Sequence, residues 1–171
     1  MVIIQALMAT KRQTIWSLLR QVNDPEIPVL SVIDLGIIRD VVLSEEGKVE
    51  VTITPTYSGC PAMNRIEWDI RAVLLENGFP VHQVKTVLTP AWTTDWISEE
   101  GRQKLRAYGI APPGKIQSVC HIELFATEEA IACPYCNSYH TELISQFGST
   151  ACKALYRCLN CREPFEYFKC H

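Results

Sequence analysis

Two cysteine pairs near the end of the chain constrain its fold more than any other feature. The sequence reads CPYC at residues 133–136 and CLNC at residues 158–161. Each CxxC can turn two sulfurs toward one ion, and two such pairs complete a tetrahedral shell of four thiolates. A tail this short buries too little apolar surface to fold alone, so the metal would supply much of its stability. We therefore predict a four-cysteine zinc ribbon over residues 132–171, with ligands Cys133, Cys136, Cys158 and Cys161.

The predicted zinc is structural, because sulfur in all four positions leaves no open site for a catalytic water. Asn137 follows the first pair, and Asn tolerates the left-handed backbone conformation that such turns often require. Iron in the same four thiolates is an alternative, since spacing does not distinguish the two metals. A thioredoxin-like redox role is disfavoured, because neither pair opens a helix within a βαβ pattern.

The composition narrows the classes to which the protein can belong. With 171 residues, 47% of them hydrophobic, the chain can bury one sizeable core and a small second module. A net charge of −3 gives no drive toward nucleic acid or anionic membrane. The apolar opening lacks a preceding basic residue, and no run approaches the ~20 residues of a membrane span. We expect a cytoplasmic protein whose eight cysteines bind metal or act as reactive thiols.

Hydrophobic periodicity predicts a first domain of mixed helices and strands over residues 1–115. Val49, Val51 and Ile53 alternate with polar residues, as in a strand with one buried face. Apolar residues three and four apart predict helices. The predicted helices are 13–22, 61–76 and 99–108, and the predicted strands are 37–43, 48–54, 81–88 and 119–125. The prolines within 110–115 predict irregular chain before a connecting segment at 116–131.

Cys60 stands between a predicted strand and a predicted helix, in the run PTYSGCPAMN at 55–64. Free backbone N–H groups and the positive end of the helix dipole would stabilise a thiolate there and lower the thiol pKa. Pro61 suits the first helical position, because the N–H that it lacks would have no intrahelical partner. The alternative is an inert cysteine that caps the helix.

Two carboxylates, Asp24 and Glu26, lie on the loop DPEIP at 24–28, where the prolines end the first helix. One interpretation is a turn with solvated acids, which is common. The other is that the acids face a site. Acids close to Cys60 would raise its pKa by repulsion unless a cation neutralised them. The two elements together therefore favour a cation passing between them over an uncomplexed nucleophile.

Other residues carry weaker signals. Cys152 lies in the small-residue turn FGSTACK at 147–153, and is either a second reactive sulfur or packing beneath the zinc pairs, which we favour. Trp92 and Trp96 are either core residues, the commoner case, or a surface for partner docking. Cys120 and Cys170 each precede a histidine, which is weak evidence for a site.

Several motifs resemble known families. DPEIP at 24–28, DLG at 34–36 and TYSGCP at 56–61 resemble the SufT-like domain of iron–sulfur assembly proteins, the MIP18/DUF59 family. Longer strings resemble the PaaD family, the D components encoded with the bacterial phenylacetyl-CoA epoxidases of phenylacetate catabolism. These strings are PAWTTDW at 90–96, FGSTACKALYR at 147–157, EPF at 163–165 and FKC at 168–170. The resemblance runs from about Ile15 to the C-terminus.

The resemblance implies an α+β, MIP18/DUF59-like domain, with three or four strands and helices on one side, followed by the zinc ribbon. It also implies a role in iron–sulfur cluster assembly or delivery. The client would be the [2Fe–2S] reductase component of the epoxidase, with the oxygenase components as further partners. Carried over by position, the characteristic cysteine of the family is Cys60, accompanied by Thr56, Asp24 and Glu26.

The leading hypothesis is a non-enzymatic maturation factor. Cys60, assisted by Cys152 or a second subunit in a homodimer, would transiently ligate iron or a cluster and release it to the client. A second hypothesis is a structural or electron-transfer subunit of the multicomponent oxygenase. A thiol enzyme with Cys60 as nucleophile ranks last, because the sequence places no histidine beside it.

Overall fold

The computed structural model describes residues 2–114 and 131–169, with side chains from residue 8 onward. The chain forms two compact units, Met1–Trp92 and Thr93–His171. No helix within the described ranges is long and apolar enough to cross a membrane. The predicted strand at 119–125, Cys120 and Cys170 lie outside the described residues.

The first unit is a three-stranded sheet with two helices. Its elements are α1 (Val2–Leu19), β1 (Ile38–Leu43), β2 (Val49–Ile53), α2 (Ala62–Glu76) and β3 (Val81–Thr86). The sheet order is β1-β2-β3. β1 pairs antiparallel with β2 through the predicted turn, and β3 pairs parallel with β2 because α2 forms the crossover between them. Val49, Val51 and Ile53 are completely buried, which confirms the predicted alternation. α1 packs on β1 and α2 packs on β3.

The second unit joins a short helix to a four-stranded sheet. Its elements are α3 (Glu99–Ala107), β4 (Ile110–Ala111), β5 (Thr141–Ser145), β6 (Lys153–Cys158) and β7 (Pro164–Phe168). The sheet order is β4-β7-β6-β5. β6 is antiparallel to both of its neighbours, and β4 is parallel to β7. The fold class is therefore α+β, as predicted.

Two local predictions are wrong. The first helix ends at Leu19 and not at residue 22, and it extends back to Val2. The chain at 110–115 was predicted to be irregular, yet Ile110–Ala111 forms β4, because its backbone pairs with β7. This pairing ties the chain after α3 to the sheet of the second unit. The limits 1–115, 116–131 and 132–171 describe domains of sequence and stay a prediction.

Candidate functional site

The four ribbon cysteines lie together in the second unit. Their ligand atoms all lie within 4.8 Å of one another. Sγ of Cys133 lies 3.7 Å from Sγ of Cys161, and Sγ of Cys136 lies 3.5 Å from Sγ of Cys158. A tetrahedral site with Zn–S bonds of about 2.3 Å separates its sulfurs by about 3.8 Å. The donor set and its spacing therefore fit zinc.

The two CxxC turns are built alike. In each, the N–H of the first cysteine donates to the carbonyl oxygen five residues later, at 2.9 Å in the first turn and 3.0 Å in the second. The residue after each pair has a positive φ, 59° at Asn137 and 66° at Arg162. The prediction for Asn137 is confirmed. Arg162 was missed, because arginine, unlike asparagine, carries no local signal for the left-handed conformation.

Backbone donors in the second turn favour the thiolate. The N–H of Cys161 donates to Sγ of Cys158 at 3.5 Å. This hydrogen bond, with another from the N–H of Asn160, lowers the pKa of Cys158 to about 6. The ionised thiol is the form that ligates a metal. Zinc bound by these residues would supply folding free energy to the ribbon.

The apolar core of the ribbon includes its zinc cysteines. The ring of Tyr156 stacks on Phe165 with centroids 5.9 Å apart and meets Tyr167 edge-on at 5.8 Å. Buried members of this core are Ala111, Ile131, Cys133, Ala154, Cys158, Phe165 and Tyr167. Because two ligands belong to the core, metal binding and core packing form together.

Cys60 lies on a tight turn just before α2, as the sequence predicts. Its N–H donates to the carbonyl oxygen of Tyr57 at 3.2 Å. Gly59 has a φ of +84°, and a Cβ there would meet no atom within 4 Å, so the backbone conformation and not space requires glycine. Pro61 is the N-cap of α2. Ser58, Gly59 and Pro61 are exposed and Cys60 is half-buried, so the thiol can be approached from solvent.

Asp24 closes the acidic loop. Its Oδ1 accepts the N–H groups of Glu26 and Ile27, each at 2.8 Å. Asp24 is buried and Glu26 is half-buried. Both carboxylates raise the pKa of the Cys60 thiol by charge repulsion, so both lie within electrostatic range of the sulfur. The loop is therefore a turn that also brings its acids near the cysteine.

The predicted lowering of the Cys60 pKa is wrong. Burial raises the pKa of the thiol above its ordinary value. The N–H of Ala62 donates to the sulfur and lowers the pKa, as a helix N-terminus should, but the charges of Glu26 and Asp24 raise it further. The Thr56 hydroxyl also lowers it, by a smaller amount. The thiol is therefore protonated at neutral pH, and a cation that binds it must displace the proton.

Cys60 and its acids do not form a ready-made metal cage. In the described part of the chain, the ribbon cysteines are the group in which three or more ligand atoms lie within 4.8 Å of one another. Cys60, Asp24 and Glu26 are not such a group. A cation held by them would need further ligands from another molecule, or a movement of the loop.

Cys152 is 5% exposed and directly precedes β6. At about 3.3 Å per residue, the strand places it about 20 Å from Cys158 at the zinc end. Cys152 is also not a member of the core that includes the zinc cysteines. The interpretation as packing beneath the zinc pairs is therefore wrong, because β6 carries Cys152 to the opposite end of the ribbon. Its role as an assisting ligand stays a prediction.

Two of the motifs serve the core of the first unit. Trp92 is 4% exposed, and its Nε1–H donates to the carbonyl oxygen of Leu35 at 2.8 Å. Asp34 is buried, and its Oδ2 accepts the N–H and the hydroxyl of Ser31 at 3.0 and 2.8 Å. Trp92 therefore does not provide a docking surface, whereas Trp96 is half-buried.

Two protein families match separate parts of the chain. Residues 12–88 match the family of iron–sulfur cluster assembly proteins, and residues 118–169 match the PaaD zinc beta ribbon domain. The first match contains Cys60 and the acidic loop, and the second contains the four ribbon cysteines.

Relatives cover either most of the chain or about half of it. A protein of Escherichia coli (strain K12), provisionally named as a subunit of 1,2-phenylacetyl-CoA epoxidase, is 54% identical over 91% of each chain. The Fe-S protein maturation auxiliary factor of Porphyromonas gingivalis is 44% identical over 52% of this chain and 84% of its own. The crystal structure of domain of unknown function DUF59 from Bacillus anthracis matches with a TM-score of 0.55 and 26% identity. It covers 59% of this chain and 96% of that chain. The protein therefore belongs to the PaaD family, in which an iron–sulfur cluster assembly domain precedes a zinc ribbon.

Proposed function

We propose that the protein is a non-enzymatic maturation factor that carries iron or an iron–sulfur cluster on Cys60 to the phenylacetyl-CoA epoxidase system. The client is its [2Fe–2S] reductase component, and the oxygenase components are further partners. The observation that carries the proposal is the convergence of one approachable thiol with two carboxylates at a helix N-terminus. Relatives of the first domain bear the name Fe-S protein maturation auxiliary factor.

The geometry supports transfer better than storage. One sulfur with carboxylate neighbours and no preformed cage holds a cargo weakly, and weak holding is what release requires. Asp24 and Glu26 attract the cation and disfavour the thiolate left behind after release. Proton return to Cys60 would therefore accompany hand-off, and the acceptor would supply the ligands that this site lacks.

The ribbon has a different part in this proposal. Its four cysteines fit a structural zinc ion, and no position is left open for chemistry. Cys152 is retained as a proposed second sulfur, although it is buried in the second unit, 3.1 Å from the hydroxyl of Thr150. We propose no catalytic residue.

The test is co-production of the client reductase with either wild-type protein or Cys60→Ser. Cys60→Ser should retain its fold and its zinc, because Cys60 lies outside the ribbon, while the reductase loses iron and acid-labile sulfide. Cys152→Ser is the matched cysteine control and reports separately on the proposed assisting role. Fully loaded reductase from the Cys60→Ser strain would contradict the proposal.

A second candidate function is a structural or electron-transfer subunit of the multicomponent oxygenase. The name of the E. coli relative, which makes it a subunit of the epoxidase, favours this function. It predicts stoichiometric co-purification with the oxygenase and loss of activity when the protein is stripped from assembled enzyme. Full activity of the assembled, iron-loaded oxygenase without this protein would exclude it and leave the maturation role.

A further inference from the structure

Helix α2 carries a second apolar stripe, on the side opposite its buried face. Its buried residues are Ala62, Ile66, Ile70 and Leu74. Trp68 is 74% exposed and Leu75 is 66% exposed, and Ala72 between them is also exposed. At about 100° per residue, these three side chains line up about 160–200° away from Ile70 and Ile66. A surface helix normally presents polar residues there, so the stripe calls for a partner.

Charges of both signs flank the stripe. Arg65 and Glu76 lie along one side of it, and Glu67 and Arg71 lie along the other. Arg71 pairs with Glu67 at 2.8 Å within the helix. A partner face of a single charge sign would meet like charges on each side. A face that presents the same residues in reversed order would instead meet opposite charges along the Arg65 side.

We propose that α2 pairs with α2 of a second copy of this chain in an antiparallel, two-fold symmetric dimer. In such an isologous contact each flank faces its own image. The register that sets Arg65 against Glu76 of the second copy has its centre between Ile70 and Arg71. Trp68 then lies over the space between Ala72 and Leu75 of the second copy, so the largest side chain meets the smallest. Parallel pairing would set Arg65 against its own image, which like-charge repulsion opposes.

The dimer is weak. A helix of 15 residues is about 22 Å long, and one face of it buries less than the roughly 1,200–2,000 Å² of a stable specific interface. Association is therefore reversible and depends on concentration. This follows from α2 alone and does not depend on the proposed function.

The arrangement has a consequence for the cysteine site. Cys60 precedes α2, so in an antiparallel pair the two thiols lie at opposite ends, about 30 Å apart at 1.5 Å per residue. One cluster cannot bridge that distance. The second copy therefore contributes no ligand, and each Cys60 acts separately.

Sedimentation of the zinc-loaded full chain tests the proposal, from about 5 to about 500 µM, where an interface of this size dissociates. The wild type should shift from monomer to dimer across this range. Trp68→Lys should raise the dissociation constant by about tenfold or more, because it removes the central apolar contact. Phe147→Lys is the matched control, since Phe147 is 66% exposed but lies in the second unit, and it should change nothing. Zinc content and far-UV circular dichroism confirm that both variants fold.

A charge swap tests the register. Glu76→Arg alone should weaken the dimer, and adding Arg65→Glu should restore it. Ala72→Cys should form an intermolecular disulfide with oxidised glutathione, because the register brings the two Cα atoms to about 6 Å. Gln83→Cys, exposed on β3, should not. A monomer at the highest concentration, a dimer that survives Trp68→Lys, or a charge swap without rescue would each overturn the proposal.

Discussion

A buried ion pair holds the ribbon loop between β5 and β6. Nζ of Lys153 lies 3.0 Å from Oε2 of Glu166, and the two side chains are 4% and 23% exposed. Oε1 of Glu166 accepts the N–H of Ser149 in the same loop. Although burial raises it, the pKa of Glu166 lies below its ordinary value, because the Ser149 N–H and the Lys153 ammonium stabilise the carboxylate.

Glu166→Ala should therefore be costly. Removing one partner of a fully buried pair costs about 3–5 kcal/mol, because a charge is left without compensation. Since the Glu166 side chain is 23% exposed, water screens part of this loss, and we expect about 3 kcal/mol. The double variant Lys153→Met/Glu166→Met buries no charge and should lose much less. Glu142→Ala is the matched control. Its pair with Arg157 also crosses strands but is 43% and 53% exposed, so its loss should cost at most about 1 kcal/mol.

The assay is urea unfolding of the zinc-loaded full chain, followed by zinc release to a chromogenic chelator. The lowered pKa of Glu166 adds a pH test. Its contribution is present above the unfolded carboxyl pKa of about 4.3 and is lost as pH falls through the lower folded pKa. Acid should therefore reduce the difference between wild type and Glu166→Ala. A Glu166→Ala loss equal to that of Glu142→Ala, or a difference unaffected by acid, would refute the reasoning.

Three further predictions concern other parts of the chain. Chelating the zinc should abolish the near-UV circular dichroism of the ribbon aromatics while the helical far-UV signal of α1 and α2 persists, since the first unit has its own core. Alkylation of Cys60 by iodoacetamide, followed by peptide mass spectrometry, should be slow at pH 7 and should speed up in Glu26→Gln, because removing that charge lowers the thiol pKa. Gly109→Ala should cost about 1–3 kcal/mol in ribbon stability, since φ is +87° and the new Cβ would lie 2.6 Å from the Tyr135 hydroxyl oxygen.

Each of these has a contrary outcome. A full loss of far-UV signal on chelation would mean that the units do not fold separately. Equal alkylation rates in wild type and Glu26→Gln would remove Glu26 from the surroundings of Cys60. Gly78→Ala, with φ of +79° and no atom within 4 Å of the new Cβ, should show backbone strain alone. A ribbon loss no larger in Gly109→Ala than the loss of first-unit stability in Gly78→Ala would show that Tyr135 does not resist the methyl group.

The zinc site was readable from the sequence because its ligands are local pairs. CxxC spacing sets two sulfurs on one turn, and only the meeting of two turns is left to tertiary structure. The strand alternation around Val51 and the helix after Cys60 were equally local. The parallel pairing of β3 with β2 and of β4 with β7 was not predicted, because hydrogen bonds between distant strands leave no periodic signal.

The sequence by itself determined the ribbon ligands, the turn that presents Cys60, and the acids on a proline-stiffened loop. Tertiary structure alone decided the protonation of Cys60, because burial and the charges of Asp24 and Glu26 depend on which elements pack together. It also decided that Trp92 is core, that Cys152 lies far from the zinc, and that Trp68 faces solvent. Pattern reports which residues share a face, whereas burial and electrostatics depend on what covers that face.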